Sequence, residues 1–179
     1  MRILSVMALM LSGAAAWACP APPDHAAAIE DVLTQIRAAK TEQDARLLTN
    51  QLWELWTDAP DEAAQAALDT GISKRASYDF LGATQEFDRL VAYCPDYAEG
   101  YNQRAFVNFM REDYQAALTD LDVALRLSPT HVAAMTGKAL ALMGLNQQDQ
   151  AQQVLKQALA LNPWLPERHL LAPPKGEKL

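Results

Sequence analysis

The sequence predicts an all-α fold, a solenoid of stacked helical hairpins, and three observations carry that expectation. Pro95, Pro129 and Pro163 stand 34 residues apart. Each is preceded by an amphipathic helical pattern. The breaks between paired helices, RASYD at 75–79, REDY at 111–114 and GLNQQ at 144–148, leave room only for antiparallel turns.

The chain opens with Met1-Arg2, an apolar run from Ile3 to Leu11 and small residues ending in Ala16-Trp17-Ala18. This is the charged, apolar, small-residue order of an export signal, so residues 1–18 are expected to be a signal peptide cleaved near Ala18. A membrane span needs about 20 apolar residues. The run becomes Pro-rich at CPAPPDH before that, so no stable membrane insertion is expected after cleavage. The expected location is periplasmic or secreted. A cysteine directly after the cut also raises lipoprotein anchoring at Cys19, which the bulky Trp17 fits badly.

An oxidising compartment leaves Cys19 and Cys94 as an even number of thiols that can pair. Spacing alone does not show whether their Cα atoms come within the required ~7 Å. Each is followed by Pro, and Cys-Pro pairs sometimes bind haem iron, so thiol or haem handling is a rival use of the two residues.

Residues 19–24 form a Pro-rich segment, and 25–60 are expected to be a diverged helical hairpin. Its apolar positions are Ala28, Val32 and Ile36, then Leu48, Leu52, Leu55 and Trp56, with Trp53 and Trp56 spaced for a helical core stripe. Residues 61–165 hold the three repeats, at about 64–97, 98–131 and 132–165. Their second helices bury Ala83, Phe87, Leu90, Val91; Ala117, Leu121, Ala124, Leu125; and Ala151, Leu155, Ala158, Leu159. These sets superpose on the 34-residue step and follow the i, i+4, i+7, i+8 rule for one buried face. After the first two Pro residues new helices start, with Asp96 and Thr130 as expected N-caps. Residues 166–179 supply a short cap, a helix around 167–171, and a tail.

At Tyr101, Ala105, Ala117, Leu121, Ala124, Pro129 the chain resembles the tetratricopeptide repeat family. Met135, Ala139, Ala151, Leu155, Ala158, Pro163 and Ala67, Gly71, Ala83, Phe87, Leu90, Pro95 repeat the pattern in phase. YAEGYNQRA and SPTHVAAMTGKAL also resemble a group of small exported proteobacterial repeat proteins without an assigned function. The resemblance implies a right-handed superhelix whose concave groove receives peptides or partner helices. Groove positions would be Gln65, Asp69, Asn102, Gln103, Phe106, Phe109 and Thr136. Family members that clamp a peptide's terminal carboxylates use groove lysines and arginines, which these positions lack.

Several residues have structural readings. Asp96 and Glu99 have capping-box spacing. Arg104, with Lys138 one repeat later, needs a carboxylate partner, for which Glu86, Asp88, Asp120 and Asp122 are candidates. His131 is expected to bond within a turn or between helices. Asn102, on a solvated groove, is expected to contribute little to stability.

The formal net charge is -7 and becomes about one unit more negative once Arg2 is lost. A surface of that sign repels polyanions, so nucleic acid is not an expected partner. His25, His131 and His169 are scattered, with no metal spacing, phosphate loop or nucleophile elbow. No catalytic residue, metal or cofactor is expected. The sequence therefore reads as an exported, non-catalytic interaction module for a peptide or protein. The alternative is a structural envelope protein that self-associates through its terminal repeats.

Overall fold

The computed structural model describes residues 18–172. The expected signal peptide up to Trp17 and the tail at 173–179 lie outside the described residues. The helices are α1 (Ala26–Ala38), α2 (Glu42–Trp56), α3 (Glu62–Ala76), α4 (Phe80–Tyr93), α5 (Ala98–Met110), α6 (Tyr114–Leu127), α7 (Val132–Gly144) and α8 (Gln148–Leu161). A short 3-10 turn, Pro166–Leu170, follows. The described residues contain no strand.

Helices α3/α4, α5/α6 and α7/α8 form three antiparallel hairpins, stacked with α4 on α5 and α6 on α7. The backbone repeats as strictly as the sequence. Tyr78, Glu112 and Asn146, 34 apart, adopt left-handed φ of 64°, 62° and 60° inside the three hairpin turns. The amides of Asp79, Asp113 and Gln147 bond back to Lys74, Asn108 and Leu142 carbonyls at 2.9 Å in all three, closing the ends of the first helices. Asp79 and Asp113 then cap the second helices through the Gly82 and Ala116 amides, whereas Gln147 makes no side-chain cap.

The inter-repeat corners differ from expectation. Neither Asp96 nor Thr130 is an N-cap. The caps fall one residue later, at Tyr97, which makes no side-chain cap bond, and at His131, whose ring accepts the Ala134 amide. Side chains at these corners are drawn into the interior, where they serve other contacts.

Packing between paired helices depends on matched sizes. Gly71, Ala105 and Ala139 share one register, and Phe87, Leu121 and Leu155 share the facing one. A Cβ on Gly71 would lie 2.4 Å from the Phe87 ring. The larger partner in this repeat therefore requires the smaller one.

The N-terminal hairpin does not extend the stack ahead of α3. It turns back so that α1 meets α8, and Ile29, Val32, Leu33, Ile36, Leu52 and Trp56 enter one core with Val132, Ala158 and Leu165. Ile29 is buried in place of the expected Ala28, which is exposed. Three positions 34 residues apart, Tyr97, His131 and Leu165, receive this hairpin. The Tyr97 hydroxyl donates to the Trp56 carbonyl at 2.8 Å, the His131 ring stacks on Trp56 at 4.0 Å, and Leu165 joins the shared core. Burial pushes the Tyr97 phenol well above its ordinary pKa, so it remains a donor throughout the working range.

A disulfide joins Cys19 to Cys94, with Cα atoms 5.1 Å apart, fixing the entry to α1 at the first repeat's corner. Closing a loop of 75 residues removes chain entropy worth about 2–4 kcal/mol from the unfolded ensemble. With both sulfurs bonded, neither is a thiol or a haem ligand.

Gly71→Ala should lower stability by about 1–3 kcal/mol through overpacking. Adding Phe87→Leu, the residue class used at that register in the other repeats, should recover most of the loss. Urea denaturation of the two single variants and the double variant checks the coupling, and additive losses would show that the two side chains do not share the space.

Candidate functional site: the concave pocket

Helices α3, α5 and α7 line the inner side of the stack. Between them and the returned hairpin lies a cavity of about 360 Å³, with Trp53 from α2 on one wall and Leu165, Pro166 and Glu167 on another. Five expected groove residues line it: Asn102, Gln103, Phe106, Phe109 and Thr136. Gln65 and Asp69 do not. The Gln65 amide donates to Asp69 at 2.9 Å, and its carbonyl oxygen accepts the Ala59 amide at 3.0 Å, so the pair secures the entry to α3.

The polar members of the five are turned away from a ligand. Asn102 is buried, and its Nδ2 donates to both Glu99 oxygens at 3.1 and 3.2 Å. The amide nitrogen of Gln103 also donates to Glu99, while its oxygen accepts an Arg75 N–H at 2.5 Å. The Thr136 hydroxyl is spent on the Val132 carbonyl at 3.0 Å. Apolar side chains remain as the exposed lining: Phe106 is 45% and Trp53 38% exposed, and Phe109 leans on Tyr114.

Glu99 is not the back-reaching member of a capping box. It is 1% exposed, and the His131 Nε2–H donates to it at 2.7 Å. Acceptance of the Ala134 amide by Nδ1 places the ring proton on Nε2 and fixes that direction. His131 thus bridges helices, as expected, while its other face carries Trp56. The Trp56 Nε1–H has no acceptor among the described residues.

Arg104 makes a bidentate pair with Asp120, at 2.9 and 2.6 Å, and reaches Asp88 at 2.8 Å. The bond to Asp120 raises its already high pKa further. Lys138 repeats the Asp88 contact one step on, meeting Asp122 at 2.6 Å. Glu86 receives Lys74 and Arg89. All four candidate carboxylates are used: Asp88 and Asp122 tie one hairpin to the next, whereas Glu86 and Asp120 pair within their own hairpins.

Sequence reasoning missed Arg75, Trp53 and Leu140 as lining residues. Arg75 had a signal, because it stands one 34-residue step before Phe109 and so shares its register. Its guanidinium lies 4.5 Å from the Phe106 ring centroid. Among the described residues no His/Cys/Asp/Glu cluster is arranged to hold a metal, and no helix is long and apolar enough to cross a membrane.

Residues 109–171 match the family profile described as tetratricopeptide repeat. Over those residues the chain is similar to tetratricopeptide repeats, and its three hairpins share that fold. A TPR repeat-containing protein of Rhizobium etli is 27% identical over 120 residues, covering 64% of this chain and 56% of that one. A tetratricopeptide repeat protein 36 homolog of Nematostella vectensis is 41% identical over 64 residues, covering 36% of this chain and 35% of its own length. The chain thus spans little more than half of one curated relative and about a third of the other. The Arabidopsis OM64 TPR domain superposes with a TM-score of 0.60 at 19% identity, covering 62% of this chain and 91% of that domain. The TPR2B domain of yeast Sti1, solved as its pHsp70 complex, gives 0.58 at 20% identity, with coverage of 62% and 91%. At these identities the likeness concerns the tetratricopeptide fold.

Asn102→Ala should cost about 1–3 kcal/mol, because a buried carboxylate loses a donor that serves both its oxygens. Urea titration checks this, and an unchanged midpoint would mean that Glu99 is satisfied without Asn102.

Proposed function

We propose that this chain is an exported, non-catalytic interaction module that takes hold of a peptide or partner protein through the concave pocket. The observation that carries the reading is the concentration of exposed aromatic surface, Phe106 and Trp53, on one cavity whose Asn102, Gln103 and Thr136 side chains are already bonded within the protein. Rigid aromatic surface in a concavity is the usual anchor of a protein contact. The solved complexes of yeast Sti1 TPR2B with pHsp70 and of the first TPR of RPAP3 with an HSP90 peptide support this use of the fold.

The returned hairpin changes the form of the contact. Trp53 of α2 walls the cavity on one side and residues 165–167 on another, so the partner enters with one or two anchor side chains rather than lying along the whole groove. Export to a periplasmic or extracellular space is supported by the N-terminal signal pattern and by the Cys19–Cys94 bond, which an oxidising compartment preserves. The acidic charge supports protein over nucleic acid as the partner.

A second reading has its own observation. Ala63, Ala66 and Ala67 of α3 and Tyr93 of α4 line an open groove, and in the α3–α4 turn region Tyr78 and Leu81 are 76% and 68% exposed. That surface suits end-on self-association.

Affinity capture from an envelope extract with residues 19–179, beside Phe106→Ala, separates these readings. The expected result is a partner held by the parent and lost by the folded variant. A partner held equally by both would move recognition off the pocket, and a concentration-dependent mass with no partner would favour self-association.

A further inference from the structure

The pocket holds a cation whose counter-charge the protein does not place beside it. Among the described residues, Lys74, Arg104 and Lys138 are the other partly buried cations, and each meets a carboxylate at 2.6 Å. Arg75 is also partly buried and forms no ion pair among the described residues. Of the five guanidinium N–H donors, one is accepted by Gln103 and the rest find no acceptor among the described residues. Glu99 offsets the charge only through the intervening Gln103 amide. Burial pulls the Arg75 pKa downward, the direction expected of a cation short of solvent and of a direct partner.

Around this cation the lining is almost wholly apolar, and the chain's own hairpin and C-terminal turn bound the space. A cavity of about 360 Å³ is at the small end of the range that small-molecule sites occupy. We propose that it is a binding site for a small apolar carboxylic acid. The carboxylate pairs with Arg75, and the tail lies among Trp53, Phe106, Phe109 and Leu140. Arg suits this role because its planar fork receives a carboxylate through two parallel bonds. Glu167 also lines the cavity without a hydrogen-bond partner among the described residues, and its like charge turns the acid's head toward Arg75. The site stands apart from the partner reading, although a small acid and an inserted side chain would compete for the same space.

Titration calorimetry of the disulfide-intact protein with octanoate, octanol and octylamine tests the assignment, with the Arg75 Nε–H resonance as the locator. Octanoate should bind at least about tenfold more tightly than octanol and shift that resonance, and Arg75→Gln should erase the preference. Equal binding of acid and alcohol would overturn the Arg75 assignment and leave only an apolar pocket. Preference for the amine would overturn it in favour of Glu167. No binding of any of the three, with partner capture still sensitive to Phe106→Ala, would overturn the small-acid site and leave the interaction reading standing. The comparison among the three probes needs no variant, so a destabilised Arg75→Gln protein does not leave the proposal undecided.

Discussion

The buried carboxylate of Glu99 is the constraint on which the rest of this molecule depends. A charge removed from water must be met by donors on every side or it unfolds what surrounds it. Asn102 and Gln103 supply donors from α5, and His131 supplies one from the start of α7. Gln103 in turn reaches Arg75 at the end of α3, and His131 carries Trp56 at the end of α2. One carboxylate therefore sets the relation of three successive repeats to one another and to the hairpin that returns over them. It also explains the character of the pocket, because the amides that would make the concave face polar are consumed in satisfying it.

The repeat was legible because it is written in residues whose physics is local. Proline ends helices, small residues let them approach, and an apolar face recurs with helical spacing, so period, hairpin order and turns could be read directly. The ion pairs of Arg104 and Lys138 were legible for a related reason, since a cation in a packing slot requires a carboxylate on the adjoining helix. Less legible was any residue whose partner is remote in sequence. Glu99 has capping-box spacing, and nothing nearby reveals that its partner is His131, 32 residues away. The polar groove residues were placed on the inner face, but whether an amide there meets solvent or a buried charge depends on that same distant contact.

The position of the N-terminal hairpin was illegible for a broader reason. Its helices have an ordinary amphipathic pattern, which specifies that a face is buried and not what buries it. A repeat array is quasi-one-dimensional, with each unit touching its neighbours, and its ends normally need polar caps. Here α1 and α2 bring the chain's beginning to its last repeat, with Arg168 on Glu42 at 3.0 Å and Asn162 on Thr49 at 3.4 Å. A five-residue 3-10 turn then suffices after α8, because the hairpin already covers much of that end. The same return leaves the outer side of α3 and α4 without a preceding repeat, which is why its groove of small residues is open.

Closure also joins stability to occupancy. The pocket wall combines Trp53 from the hairpin, Leu165 from the C-terminal turn and side chains from α3, α5 and α7. No one of these elements makes the cavity alone, so any ligand that fills it binds only the docked arrangement. Such a ligand shifts the equilibrium toward docking by its free energy of binding. The disulfide acts from the other direction, holding the first residues of the hairpin beside the first repeat even when the hairpin loosens, so that docking remains an intramolecular event. A solenoid open along its length can lose contacts at one end without disturbing the other. In this chain the ends meet across the site, and loss of either end's contacts removes part of the wall that a ligand would touch.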